Sequence, residues 1–219
     1  MTLSVENLTL TNDENALFEP ISFKVKAGNV LTLMGPSGCG KSTLLSAIAG
    51  HLSPAFELSG EIRLNEIAMN GLVPNQRRIG ILFQDDLLFP HLNIWENLAF
   101  GLPKSVNKKV RKETAMATLS KIGLTELANK MPPEISGGQR ARISLMRMLL
   151  SEPHAVLLDE PFSKLDKALR SEFRTFVFQQ IQSKSIPALM VTHDEDDIPA
   201  DGSVLHWPWQ SSLNNPRGV

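Results

Sequence analysis

Cysteine and long apolar runs are what this 219-residue sequence most conspicuously lacks. Its one cysteine, Cys39, excludes an internal disulfide framework and fits a reducing compartment. A helix that spans a bilayer needs about 20 mostly apolar residues. The purely apolar runs here, such as Ala155–Leu158, are far shorter. The N-terminus has neither a basic start nor a long apolar stretch, so no signal peptide is expected and the chain reads as cytosolic. Charge of one sign is missing as well: 22 Lys and Arg stand against 23 Asp and Glu, a net charge of −1. That balance argues against a dedicated nucleic-acid binder, which carries a basic face, and no nucleic-acid partner is expected. There is no internal repeat and no low-complexity segment. With 42% hydrophobic residues the composition is that of a soluble globular protein, here a single domain over residues 1–219.

What is present begins with strands. Leu3, Val5, Leu8 and Leu10 are apolar within a polar mixture, and Thr11–Asn15 reads as a turn. Ile21, Phe23 and Val25 alternate with Ser22, Lys24 and Lys26, the period of a half-buried strand. Val30–Met34 is nearly all apolar, as a strand covered on both faces should be. Similar runs recur at Ile79–Phe83, Ala155–Leu158 and Ala188–Val191, with helix-length segments between them. Strands alternating with helices predict an α/β fold with a mainly parallel sheet. The early alternating strands, Glu61–Leu64 among them, predict a small antiparallel sheet beside it. Residues 86 to 150 differ: Val110, Ala117 and Leu119–Ile122 recur at helical spacing, Gly123 is placed to end that helix, and the stretch reads as an inserted helical subdomain. The cluster Lys104, Lys108, Lys109, Arg111 and Lys112 reads as a solvated helix face, with lipid headgroups as the functional alternative. Only residues 194–219 follow His193, too few for another domain, so no C-terminal regulatory domain is expected.

The chemistry starts at Gly35, Pro36, Ser37, Gly38, Cys39, Gly40, Lys41, Ser42 and Thr43, which fit G-x-x-x-x-G-K-[ST]. The segment follows a buried-type strand and opens a helix predicted over Lys41–Ala49, the context this motif requires. Glycines let successive backbone N–H groups curl around an anion, and the helix N-terminus adds its positive end. Lys41 is expected to reach the β- and γ-phosphates of a nucleotide and Ser42 to ligate Mg²⁺. Asp159 and Glu160 end a strand at the carboxyl edge of the sheet, where α/β proteins bind ligands. Asp159 suits Mg²⁺, and Glu160, pointing elsewhere, can act as general base on the attacking water. His193 closes a third strand and could contact the γ-phosphate and that water.

With these residues in place the sequence resembles a family, the ATP-binding subunits of ABC transporters. Ile135–Arg140 contains Ser136, Gly137, Gly138 and Gln139 and resembles the signature LSGGQ, at the family's usual spacing before Asp159. Gln84 resembles the Q-loop glutamine, Ser163–Asp166 the D-loop, and His193 the switch histidine. The match covers nearly the whole chain, and the Leu87–Asn97 stretch is most similar to ATPases of bacterial binding-protein-dependent importers. The resemblance implies a P-loop NTPase core with ATP and Mg²⁺ as cofactors. It implies a catalytic role for Gln84 and a place for it on Mg²⁺, besides its link to the helical subdomain. It further implies a head-to-tail dimer with a second copy, in which Ser136–Gln139 caps ATP bound to the other cassette and Ser163 and Asp166 belong to the D-loop. The remaining implied partners are a transmembrane permease, seated on Leu87, Leu88, Phe89, Leu92 and Ile94, and an extracytoplasmic substrate-binding protein. The place would be peripheral, on the cytoplasmic side of the inner membrane. The alternatives are a soluble ABC ATPase of translation or DNA repair, which typically has two fused cassettes or a long coiled-coil insertion, and a small-molecule kinase, disfavoured by the signature. Ser136 is also expected to cap a helix. Three departures stand out. Ile135 replaces the usual Leu of the signature, a mild change. Lys164 occupies a D-loop position often held by a small residue. The aromatic that usually stacks on adenine should fall near Thr11 or Asn12, and the chain contains no tyrosine. Phe18 is the nearest aromatic and is expected to be core.

Overall fold

The computed structural model describes residues 1–13 and 15–209. In chain order the elements are β1 (Thr2–Asn12), β2 (Asn15–Ala16), β3 (Ile21–Lys26), β4 (Val30–Met34), α1 (Lys41–Ala49), β5 (Glu57–Leu64), β6 (Ile67–Ala68), α2 (Pro74–Arg77) and β7 (Ile79–Leu82). There follow α3 (Ile94–Phe100), α4 (Lys108–Lys121), α5 (Gly137–Leu149), β8 (Ala155–Asp159), α6 (Lys167–Ser183), β9 (Ala188–Thr192) and β10 (Ser203–His206). The chain divides into two compact units. One holds Met1–Ile81, His154–Glu160 and the segment from Phe178 onward; the other holds Leu82–Pro153 and Pro161–Val177.

The first unit carries both expected sheets. β1 pairs antiparallel with β2, β3 and β5. The parallel sheet has the order β10-β4-β9-β8-β7. In β4 all five residues are buried, as a strand covered on both faces requires. Leu3, Val5, Leu8, Ile21, Leu44, Ile48, Leu157, Leu189 and Trp209 are among the residues of one continuous core that joins the two sheets through α1.

Two details depart from the sequence reading. The strand β1 runs through Asn12, because Thr11 and Asn12 pair with Ala16 and Asn15; of the expected turn only Asp13 remains among the described residues, and Glu14 lies outside them. Ser22 is buried rather than outward. The reason is a bulge: β1 shifts register between Val5 and Leu8, Asn7 takes a φ of 47°, and its N–H donates to Ser22 Oγ at 2.8 Å. Gly60 opposite is required, since a Cβ there would lie 2.4 Å from the Asn7 carbonyl oxygen.

The second unit is helical. Asn93 and Glu96 form a reciprocal capping box on α3, and Asn107 caps α4. The buried face of α4 consists of Ala115, Thr118 and Leu119, continued by Ile122, an i, i+3, i+4, i+7 stripe. Val110 and Ala117, expected in that stripe, are exposed. The basic cluster also divides. Lys104, Lys108, Lys109 and Lys112 are exposed. Arg111 instead turns inward and donates to the carbonyls of Val106 at 2.9 Å, Ala99 at 2.7 Å and Leu102 at 3.1 Å, satisfying the C-terminal end of α3. Of the apolar stretch after Gln84, Leu88 and Ile94 are core, whereas Leu87 is 54% exposed.

Candidate functional site

The carboxyl edge of the parallel sheet collects the candidates of the first unit. Met34 pairs with Thr192 and with His206, and Asp159 pairs with Val191, so the residues leaving β4, β8 and β9 emerge side by side. They are Gly35, Glu160 and His193.

The segment from Gly35 to Gly40 winds from β4 into α1. Gly40 at the N-cap has a φ of 95° and no side chain that could occupy the first N–H groups of the helix. Those donors are left for a ligand, as an anion site on a helix N-terminus requires. The Lys41 side chain is buried and folds back on the loop, donating to the carbonyls of Gly35 at 2.8 Å and Pro36 at 2.9 Å. Its ammonium lies 3.9 Å from Glu160 Oε1. Ser42 Oγ donates to Asp159 Oδ1 at 3.0 Å. Burial pushes the Asp159 carboxyl above its ordinary pKa, and neighbouring Glu160 adds to the rise, against the hydrogen bond from Ser42 and the charge of Lys41. A hydroxyl and a part-buried carboxylate oxygen at hydrogen-bond distance form a hard-oxygen donor pair that fits Mg²⁺.

Glu160 sits one residue past β8 with a φ of 45°, a left-handed backbone unusual for glutamate. Its N–H still donates to the Val191 carbonyl at 3.0 Å, which holds the turn against β9. That turn brings its carboxylate to 3.2 Å from His193 Nδ1. The residues on either side of His193 are held in place. Thr192 Oγ1 donates to the buried carboxylate of Asp197 at 2.9 Å, and Asp194 N–H donates to Thr192 Oγ1 at 3.1 Å.

The second unit holds the remaining candidates. Ser136 and Gln139 form a reciprocal capping box at the start of α5, with Gly137 and Gly138 as the first helical residues. A Cβ on Gly138 would meet Leu169 Cδ2 at 3.2 Å, so a larger residue would have to displace α6. Asp166 caps α6, its carboxylate accepting from Ala168 N–H at 3.2 Å and Leu169 N–H at 3.1 Å. Gln84, Gly137, Arg140 and Lys164 line one cavity of about 160 Å³. The two carboxylates after Gln84 are both paired: Asp85 with Lys164, and Asp86 with Arg140 at 2.8 Å. Lys164, the departure noted in the sequence, thus has an ionic partner in the segment after Gln84.

Three residues escaped the sequence reading. Arg77 is buried and donates to the carbonyls of Leu72, Ala47 and Ile48, each at 2.9 Å, so it closes the C-terminal end of α1. Asp197 looked like one of several surface acids. Trp209 is 1% exposed, and its indole N–H donates to the Met34 carbonyl at 2.8 Å. Arg77 and Trp209 are fixed by partners distant in sequence and Asp197 by Thr192, five residues before it, and only the tryptophan's size and apolarity marked it as a core candidate. Phe18 is 5% exposed and packed edge-on against Trp209, as a core residue should be.

The ABC transporter family model matches residues 18–163. The ABC transporter ATP-binding protein YnjD of Escherichia coli (strain K12) is 45% identical over 216 residues, 98% of this chain and 100% of its own length. The Fe(3+) ions import ATP-binding protein FbpC 2 of Haemophilus influenzae is 40% identical over 200 residues, 89% of this chain but 55% of its own. The thiamine import ATP-binding protein ThiQ of Aliivibrio fischeri is 40% identical over 186 residues, 84% of this chain and 77% of its own. The chain therefore spans a little over half the length of the iron-import relative.

Proposed function

The chain belongs to the ABC transporter family, and from that premise we propose that it is the ATP-hydrolysing subunit of an importer, acting through a separate membrane-spanning permease. ATP is its nucleotide and ATP hydrolysis its activity. The observation that carries the site assignment is the convergence of Lys41, Ser42, Asp159, Glu160 and His193 around a loop whose helix N-terminus lacks a side-chain cap.

The residues divide the work as follows. Backbone N–H groups of residues 37–43 cradle the phosphates. Lys41 exchanges the Gly35 and Pro36 carbonyls for the β- and γ-phosphate oxygens, keeping a fixed cation where charge develops. Ser42 and Asp159 would hold Mg²⁺, and the family resemblance implies Gln84 as a further oxygen ligand; such an ion would supply positive charge against the phosphoryl oxygens. Glu160 takes the proton of the attacking water, and His193 orients the carboxylate it touches. Ser136, Gly137, Gly138 and Gln139 cap the ATP of a second copy, with Ser163 and Asp166 of the D-loop at the same interface.

Among the described residues no helix is long and apolar enough to cross a membrane, so on this reading the permease supplies the membrane path. Leu87, in the stretch expected to seat that partner, is 54% exposed, and Phe83 at 45% and Phe100 at 63% are further large apolar side chains the second unit leaves exposed. The soluble alternative in translation or DNA repair is not favoured, because relatives matched over most of this chain are named import ATP-binding proteins.

Glu160→Gln keeps the phosphate contacts and removes the base. It should bind ATP, hydrolyse almost none and accumulate as a dimer with ATP and Mg²⁺ on size-exclusion chromatography. A variant that stays monomeric with ATP bound would contradict the sandwich, and one that turns over normally would remove Glu160 from the chemistry. Recovery of the chain with a membrane-spanning protein tests the importer reading.

A further inference from the structure

The loop from Gly35 to Gly40 is rich in glycine, and ordering such a segment is entropically expensive. Its internal strap is Lys41, which donates to the carbonyls of Gly35 and Pro36. On the reading that this loop binds ATP, Lys41 gives up those carbonyls for phosphate oxygens, so the strap is released when the loop must be ordered.

A second support lies outside the loop. The Met34 carbonyl, at the peptide joining β4 to Gly35, accepts from the indole N–H of Trp209 at 2.8 Å and the backbone N–H of Trp207 at 3.0 Å. A carbonyl oxygen has two lone pairs, and these two donors suffice to engage both. The Trp209 ring stands edge-on to Phe18 at 5.3 Å and to Trp207 at 4.9 Å. A Cβ placed on Gly35 would lie 3.3 Å from Trp207 Cβ and 3.7 Å from Trp209 Cζ2, and one on Gly40 would lie 3.3 Å from Phe18 Cδ1. One aromatic cluster therefore touches the loop at its first glycine and at its last, and Trp209 is its buried centre.

We propose that Trp209 is a positioning residue of the nucleotide site: through the Met34 carbonyl and the Phe18 ring it fixes where Gly35 and Gly40 sit, and so sets the loop's affinity for the phosphates of ATP. The bracket keeps both of its hydrogen bonds when Lys41 changes partners, while the phosphates and the ordered loop alter the surroundings of the indole. It acts on bound ground state and transition state alike, since both use the same loop N–H groups. Its loss therefore raises KM and leaves kcat nearly unchanged.

Trp209→Phe keeps an aromatic ring and deletes the donor. A hydrogen bond of ordinary net strength predicts a rise in KM for ATP of about fivefold, with kcat within about twofold of the parent. A residue that only fills the core would lower the melting temperature and leave KM unchanged well below it; that result overturns the proposal. If Trp209→Phe does not fold, the parent chain carrying Trp95→Phe and Trp207→Phe keeps Trp209 as its sole tryptophan. Its emission should shift on titration with ATP, and emission indifferent to ATP overturns the proposal. A parent chain that neither binds nor hydrolyses ATP would overturn the nucleotide reading itself. A parent that does both, beside a Trp209→Phe variant with the same KM, overturns only the role given to Trp209.

Discussion

Replacing Arg77 should show how much α1 depends on a residue outside the glycine-rich motif. Arg77 is buried, and it donates to the carbonyls of Ala47 and Ile48 in the last turn of α1 and to that of Leu72. A hydrogen bond from a charged donor contributes about 1.5–3 kcal/mol net. Burial opposes this gain by holding the guanidinium below its usual pKa. The charge also sits at the negative end of the helix dipole, worth up to about 2 kcal/mol in a buried geometry. Truncation to alanine would leave the α1 carbonyls without this partner and open a void beside Gly50, whose backbone packs on the guanidinium. We expect Arg77→Ala to lose about 3 kcal/mol, since the contributions overlap and are not additive. For a chain of this size that is a fall in melting temperature of roughly 6–12 °C. Urea unfolding followed by circular dichroism measures it, with Arg77→Met separating lost packing from lost hydrogen bonds. Methionine should recover well under half of the loss. A loss below about 1 kcal/mol in Arg77→Ala would refute the reasoning, because it would mean that water replaces the guanidinium at little cost.

Two further outcomes follow from the site. The folded-state pKa of Asp159 is raised, so its contribution to stability is present below the unfolded pKa and lost as pH rises through the folded one. Asp159→Asn should therefore stabilise the nucleotide-free chain at neutral pH and lose that advantage in acid; thermal melts across pH read it, and an equal effect at all pH values would contradict it. Position 12 ends β1, and tryptophan there should restore a stacking surface for adenine: Asn12→Trp is expected to tighten ATP by about tenfold, within the 1–3 kcal/mol of base stacking, with little change in turnover at saturation.

The sequence was most legible where structure is written in consecutive residues. The helix opening at Lys41, the N-cap at Ser136 and the all-apolar strand β4 each depend on local backbone geometry, and each formed over the residues expected. It was least legible where a side chain answers to a distant partner. Arg77 stands beside Arg78 and reads as surface charge until α1 is placed against it. Arg111 sits in a lysine-rich run and is distinguished only by the carbonyls left open at the end of α3. The inward turn of Ser22 depends on a bulge at Asn7, which a period-2 pattern cannot express. The proximity of His193 to Glu160 required strand order, which sequence supplied only as three strands ending in polar residues.

The central claim is that the Gly35–Thr43 loop of this chain binds ATP and that its hydrolysis depends on the fixed cation of Lys41. Phosphate release from Mg²⁺–ATP by the purified chain, beside its Lys41→Ala variant at equal folded concentration, tests it most directly. The account predicts steady turnover by the parent and none above background by the variant, because charge on the phosphoryl oxygens then has no lysine to meet it. Near-normal turnover by Lys41→Ala would contradict it.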